Sequence, residues 1–150
     1  MSKIIIFILL IFFDLFSKFF VKNYIQLNQS IELNNFLNLV YVQNYGISFG
    51  LFQGEISYLI LVIIGLLIVL VILYFMFISN KNIEKEAYFY IIVGAISNIL
   101  DRLINTYVVD FISLHYKNFY WPAFNLADIY ITIGIIMLLI SFFIRSEDLK

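Results

Sequence analysis

The chain has 150 residues, of which 63% are hydrophobic and 13% charged, and its mean hydropathy is +1.00, the balance of a membrane protein. A net charge of -1 gives no basic surface for neutralising phosphates, so nucleic acid is excluded as an expected partner. The absence of Cys excludes disulfides, thiol nucleophiles, thiolate metal sites and cysteine-linked lipid.

Ile4 to Val21 is apolar apart from Asp14, Ser17 and Lys18, and as a helix it nearly spans a ~30 Å hydrocarbon core. Lys3 ahead of an apolar run resembles a signal peptide. Asp14 and Lys18 interrupt that run and no small-x-small cleavage site follows, so a retained first helix is expected. The two charges stand four apart, in the acid-then-base order that favours pairing. They read either as a neutralised pair with Lys18 reaching toward the interface or as direct participants in a site.

Lys22 to Glu55 is polar and Asn-rich, and the alternation Asn38-Leu39-Val40-Tyr41-Val42-Gln43 suits a half-buried strand. Asn44-Tyr45-Gly46-Ile47-Ser48-Phe49-Gly50 reads as a tight turn whose backbone approaches something closely, although a plain turn explains it as well. Ile56 to Ile78 holds no charged side chain and is a second span. Asn80 to Glu86 reads as a short charged loop, followed by a third span over 87–104 and a fourth over 126–144. The expectation is one domain, a membrane all-α bundle of four transmembrane helices.

Lys3, Lys81, Lys85, Arg145 and Lys150 fall on one side of such a bundle, and only Lys22 and Lys117 on the other. The positive-inside rule then puts both termini in the cytoplasm and 22–55 and 105–125 outside. Asp14, Lys18, Asn98, Asp101, Arg102, Asn125 and Asp128 converge near the outer face. Tyr107, Phe111, Tyr116, Phe119, Tyr120 and Trp121 fit an interfacial aromatic belt there.

Charge inside hydrocarbon costs about 2.5 to 3.5 kcal/mol per residue on insertion scales, so each such group is a functional candidate. On the third helix Asn98, Asp101, Arg102 and Asn105 share one face by their spacing, and Asn125, Asp128 and Thr132 do so on the fourth. Arg102 adjoins Asp101 and is a partner for it or for a substrate carbonyl, whereas Asp110 and Asp128 have no evident cation. The only His is His115, there is no H-E-x-x-H and no G-x-S-x-G, and nothing marks a Ser for a Ser-Lys dyad. Paired carboxylates remain. Two aspartates in a low-dielectric site share a proton, so that one can activate water while the other polarises a carbonyl. The same two residues also suit a turn and a helix start, where Asp is favoured. A small proton-coupled transporter or channel subunit is the alternative reading, and a purely structural subunit a third.

Taken together, the motifs resemble the lipoprotein signal peptidase family, the bacterial type II signal peptidases. Its hallmarks N-x-G-x-(A)-F-G, G-(A)-x-(G)-N-x-x-D-R, V-x-D-F and F-N-x-A-D stand here as Asn44 to Gly50, Gly94 to Arg102, Val108 to Phe111 and Phe124 to Asp128. Asp14 and Lys18 match a further D-x-x-x-K feature. Ser48 stands where the family usually has Ala and Ser97 where it has Gly, small-for-small changes that bear on packing. The resemblance implies an aspartic endopeptidase of the bacterial plasma membrane, cutting diacylglyceryl-modified prolipoproteins just before the lipid-bearing Cys. It implies Asp110 and Asp128 as catalytic residues, Asn44, Asn98, Arg102 and Asn125 lining the substrate site, and Asp14, Lys18, Asp101 and Gly46 in support. It further implies a small extramembrane β-sheet, inhibition by globomycin, and no metal or cofactor. Membrane lipid is the surrounding partner, and a monomer is expected.

Overall fold

In the computed structural model, which describes residues 2–46, 56–117 and 119–147, four helices are long and apolar enough to cross a membrane. They are α1 (Lys3–Tyr24), α2 (Tyr58–Ile78), α3 (Asn82–Asn105) and α4 (Leu126–Glu147). The expected turn residues Ile47, Ser48, Phe49 and Gly50 lie outside the described residues. Helix α3 takes in much of the charged stretch read as a loop. Glu84 falls in its first turn, where a carboxylate meets the positive end of the helix dipole, and accepts a hydrogen bond from Ser79 Oγ at 2.7 Å. The helix closes at Thr106 in the left-handed region (φ 70°), with the Thr106 N–H on the Arg102 carbonyl at 2.8 Å.

Helix α3 is the centre of the bundle and packs against α1, α2 and α4. Its approach to α4 needs glycine. A Cβ on Gly94 would lie 2.3 Å from the Ala127 carbonyl oxygen, and one on Gly134 2.5 Å from that of Ala87. Small residues that let backbones close in this way are the usual means of helix association in lipid, where no hydrophobic effect drives it. Leu, Ile and Phe side chains cover the outside of the bundle, while Asp14, Lys18, Ser97, Asp101 and Asn125 are buried within it. The polarity is inverted relative to a soluble protein.

Strands β1 (Ser30–Asn34), β2 (Leu37–Asn44), β3 (Val108–Tyr116) and β4 (Phe119–Tyr120) form an antiparallel sheet in that order. Leu39 pairs with Ile112 and Val42 with Asp110, so β2 carries one residue more than β3 between those points. The bulge puts consecutive residues Val40 and Tyr41 both inside, which simple alternation would forbid. Tyr41 packs with Val21, Ile25, Val109 and Phe111 and joins the sheet to the end of α1. This corrects the aromatic belt. Phe111 is core, and the Tyr107 hydroxyl meets that of Tyr41 at 3.0 Å, whereas Tyr116, Phe119, Tyr120 and Trp121 are exposed.

Candidate active site

Each aspartate of the expected pair is delivered by a local backbone device. Asp110 lies on β3 beside the bulge. Two residues on, Ile112 bridges Phe124, with the Ile112 and Phe111 amides both donating to the Phe124 carbonyl at 2.8 and 2.9 Å. That bridge sets Asn125 beside Asp110, and the Asn125 amide nitrogen Nδ2 donates to Asp110 Oδ1 at 2.7 Å. Asn125 is also the cap of α4. Its Oδ1 accepts from the Asp128 N–H, and Asp128 Oδ2 accepts from the Asn125 N–H, each at 3.1 Å. This reciprocal arrangement is a capping box with Asp in the place of Glu. Asp128 thus caps the helix with Oδ2, while its Oδ1 receives Asn98 Nδ2 at 2.9 Å.

Asp110 Oδ2 accepts from Asn44 Nδ2 at 3.0 Å, while Asn44 Oδ1 accepts the Gly46 N–H at 3.0 Å. The two carboxyls are therefore held by neutral amides, and among the described residues neither forms an ion pair. Burial pushes the Asp110 carboxyl up to about 7, with the neighbouring charge of Asp128 adding to the shift, and the hydrogen bonds from Asn44 and Asn125 and the charge of Lys18 opposing it. An amide donates to a carboxylate without neutralising it, so the site keeps a carboxyl that can change charge near neutrality.

Behind the pair is a second, fully paired network. Lys18 Nζ lies 2.8 Å from Asp14 Oδ2, 2.8 Å from Asn98 Oδ1 and 3.6 Å from Asp101 Oδ2. Asp14 also receives the Ser97 hydroxyl at 2.5 Å and the Ala127 N–H at 2.9 Å, which ties α1 to α3 and to the first turn of α4. Asp101 accepts the Val109 N–H at 2.8 Å and Asn105 Nδ2 at 2.7 Å. Asp101 thus pairs with Lys18, and its neighbour Arg102 reaches instead to the Gly46 carbonyl at 2.6 Å. Of the Asp14–Lys18 alternatives, the structure carries the neutralised pair. Lys18 is only 2% exposed, held inside the bundle without reaching the interface.

Asn44, Asn98, Arg102, Asp110 and Asp128 line one cavity of about 690 Å³, continued between α2, α3 and α4 by apolar side chains. Its size is that of a ligand site. Asn125, expected among the lining groups, is fully buried behind the two carboxyls and positions them. Gly46 contributes its backbone to Asn44 and Arg102. Sequence reasoning missed two contributors. Ser97 appeared only as a packing substitution, yet its hydroxyl is a ligand of Asp14. Trp121, assigned to the belt, lines the cavity mouth. A hydroxyl one turn before Asp101 and next to Asn98 on the polar side of the third helix was the available signal for Ser97. His115 stacks on Tyr120 with ring centroids 5.3 Å apart and is not among the residues lining the cavity. Among the described residues no cluster of His, Asp or Glu is arranged to hold a metal ion.

The pattern described as signal peptidase (SPase) II matches residues 6–144. The chain belongs to the signal peptidase II family. The lipoprotein signal peptidase of Thermodesulfovibrio yellowstonii is 43% identical over 140 residues, covering 91% of this chain and 90% of its own. That of Pelagibacter ubique is 38% identical over 151 residues, covering 97% and 90%. Two solved structures described as bacterial membrane enzymes share the fold. One has a TM-score of 0.87 at 28% identity, over 99% of this chain and 91% of its own, and the other 0.80 at 29%, over 93% and 91%. The chain is a multi-pass membrane peptidase by family.

Proposed function

We propose that this peptidase removes the signal peptide from diacylglyceryl-modified prolipoproteins just before the lipid-bearing Cys, with Asp110 and Asp128 as an aspartic pair near the outer membrane face. The observation that carries the reading is that two carboxyls lining one cavity are held by amides and, among the described residues, form no ion pair. With one proton between them, the ionised carboxylate takes a proton from water as the water oxygen attacks the scissile carbonyl carbon. The neutral carboxyl donates its proton to the carbonyl oxygen, giving a neutral tetrahedral diol. As the C–N bond breaks, the acid formed in the first step protonates the departing amine of the Cys. The other carboxylate recovers the diol proton, leaving a carboxyl on the signal peptide and the pair again with one proton.

Substrate binding would use groups already in place. Asn44, Asn98 and Arg102 face the cavity, and Arg102, anchored on the Gly46 carbonyl, has further N–H donors for a substrate carbonyl. Acyl chains stay in the bilayer while the peptide bond lies at the interface, which suits a polar site at one end of a lipid-facing bundle. The test is cleavage of a purified diacylglyceryl-modified prolipoprotein by the protein in detergent or vesicles, beside its Asp110→Asn and Asp128→Asn variants. Product ending just before the lipid-bearing Cys, absent with either variant, is the expected result. Turnover by a folded Asn variant would refute the aspartic mechanism.

A further inference from the structure

Past its bulge, strand β2 sends Val42 and Asn44 to one face of the sheet and Tyr41 and Gln43 to the other. Val42 pairs with Asp110 and Asn44 with Val108, so Asn44 is the diagonal neighbour of Asp110 and its Nδ2 reaches Asp110 Oδ2 at 3.0 Å. Asn44 is also the last residue of β2, and no further ladder holds its backbone beyond that point. Its Oδ1 accepts the Gly46 N–H at 3.0 Å, which orients the amide with Nδ2 toward the carboxyl.

The opposite face carries a set of side chains that no step of the proposed reaction uses. Tyr45 donates its hydroxyl to Gln43 Oε1 at 2.9 Å, Gln43 Nε2 donates to the Tyr41 hydroxyl at 2.9 Å, and that hydroxyl meets the one of Tyr107 at 3.0 Å. The rings of Tyr45 and Tyr107 close the circuit with centroids 5.3 Å apart. Gln43 and Tyr45, the residues on either side of Asn44, are therefore both tied into one clasp. Tyr107, directly before β3, ties that clasp to the strand that carries Asp110. Its hub is fixed, because the Tyr41 ring is packed among Val21, Ile25, Val109 and Phe111.

We infer that Tyr41, Gln43 and Tyr107 are positioning residues of the peptidase: by clasping the end of β2 to the start of β3 they keep the Asn44 amide on Asp110 and favour the charged form of that carboxyl. The inference rests on the proposed aspartic mechanism. A hydrogen bond donated to a carboxylate stabilises its charge. Burial, with the charge of Asp128, raises the Asp110 carboxyl to about 7, and the bond from Asn44 opposes that rise. The charged groups facing Asp110 are Lys18 of α1, Arg102 of α3 and Asp128 of α4, while α2 has none. On the clasp side Lys22 Nζ lies 6.0 Å from the centroid of the Tyr107 ring. Burial and the bond to Tyr41 push the Tyr107 phenol up, so it keeps its proton through the range in which Asp110 titrates. Deleting a clasp hydroxyl thus changes no charge and acts on Asp110 only through the hold on Asn44.

The experiment uses the full chain in detergent and Tyr→Phe variants, which remove a hydroxyl and keep the ring. Infrared titration follows the protonated carboxyl band that disappears in Asp110→Asn, and cleavage of a diacylglyceryl-modified prolipoprotein gives kcat/KM against pH. Tyr41→Phe leaves Gln43 Nε2 and the Tyr107 hydroxyl without their shared partner. It should move the Asp110 titration up by about half a unit to one unit, the worth of one hydrogen bond on the pH scale. Tyr107→Phe should give a smaller shift in the same direction, because the bond from Gln43 to Tyr41 survives, and the exposed Tyr116→Phe should give none. The kcat/KM profile should move to higher pH in step with the titration. Tyr107 is only half-buried, so its variant decides the matter if Tyr41→Phe, in the core, fails to fold. A merely structural role would lower kcat/KM by the same factor at every pH and leave the titration where it was, and that pattern in folded variants would overturn the inference. A titration that moves while the kcat/KM profile stays would uphold the clasp and count against the aspartic mechanism itself.

Discussion

At the scale of single residues, the decisive property is that Asp110 and Asp128 are held by amides. If they act as one unit, Asp110→Asn and Asp128→Asn should each lose most activity, on the order of a thousandfold or more, and the double variant should be scarcely worse. Steady-state cleavage of a lipidated prolipoprotein measures this, and multiplicative losses would show independent roles. Asp110 also predicts a pH dependence. Its folded-state pKa of about 7 is above the ordinary value of 3.8, so burying it favours folding while it is neutral. That contribution is complete below about 4 and is lost as pH rises through about 7. Asp110→Asn, which cannot ionise, should therefore gain thermal stability relative to the native protein as pH is raised from about 5 to about 8. A constant difference between the two unfolding temperatures would place the ionisation elsewhere. Arg102→Lys should impair cleavage more than Lys22→Ala, because a planar fork can keep the Gly46 carbonyl and still present donors to the cavity. Lys22 is more than a surface charge, bonding Asn105 Oδ1 at 2.5 Å, but that contact is exposed and leads through Asn105 to Asp101, not directly to Asp110 or Asp128.

At the scale of elements, the site depends on how closely α3 and α4 approach and on what ties α1 to them. Gly94→Ala and Gly134→Ala would each drive a methyl group into a backbone carbonyl, which no rotamer change relieves, so unfolding should come about 1–3 kcal/mol earlier despite alanine's better helix propensity. Gly65→Ala is the control. Its methyl group would meet only the Ile99 side chain at 3.0 and 3.1 Å, which can shift, and the effect should be small. Lys18→Met would leave Asp14 and Asp101 buried without their shared cation and should cost about 3–5 kcal/mol. Chemical or thermal unfolding in detergent ranks all four, and a Gly94→Ala protein as stable as native would disprove the close contact. The sequence made these helices legible because long apolar runs interrupted by few charges have one solution in lipid. It also made legible the stripe Asn98, Asp101, Arg102, Asn105, since helical spacing alone aligns it. The β2 bulge, the capping box and the Asp101–Lys18 pairing were not legible. The bulge and the Asp101–Lys18 pairing depend on contacts between segments far apart in the chain, whereas the capping box spans only Asn125 to Asp128, and of it the sequence offered just the preference of Asp for a helix start.

At the scale of the whole molecule, the carboxyl pair is at one end and Lys3, Lys81 and Lys85 are at the other. The bond between Lys3 and Glu86 puts the start of α1 beside the start of α3, together with Lys81 and Lys85. The opposite end carries the sheet, the carboxyl pair, Lys22 and Lys117. Positively charged loops are retained in the cytoplasm, so the end with Lys3, Lys81 and Lys85 should be cytoplasmic and the site should face outward. The absence of Cys from the chain makes a direct test simple. Lys117→Cys, on an exposed residue just past the end of β3, should react in intact cells with a maleimide that cannot cross the membrane. Lys81→Cys should react only after permeabilisation. The reverse pattern would invert the orientation and set the carboxyl pair on the cytoplasmic side, where a substrate that has already delivered its lipidated Cys across the membrane could not reach it. Orientation thus bears on function as directly as the carboxyls do, since the same bundle facing the other way would meet no such substrate.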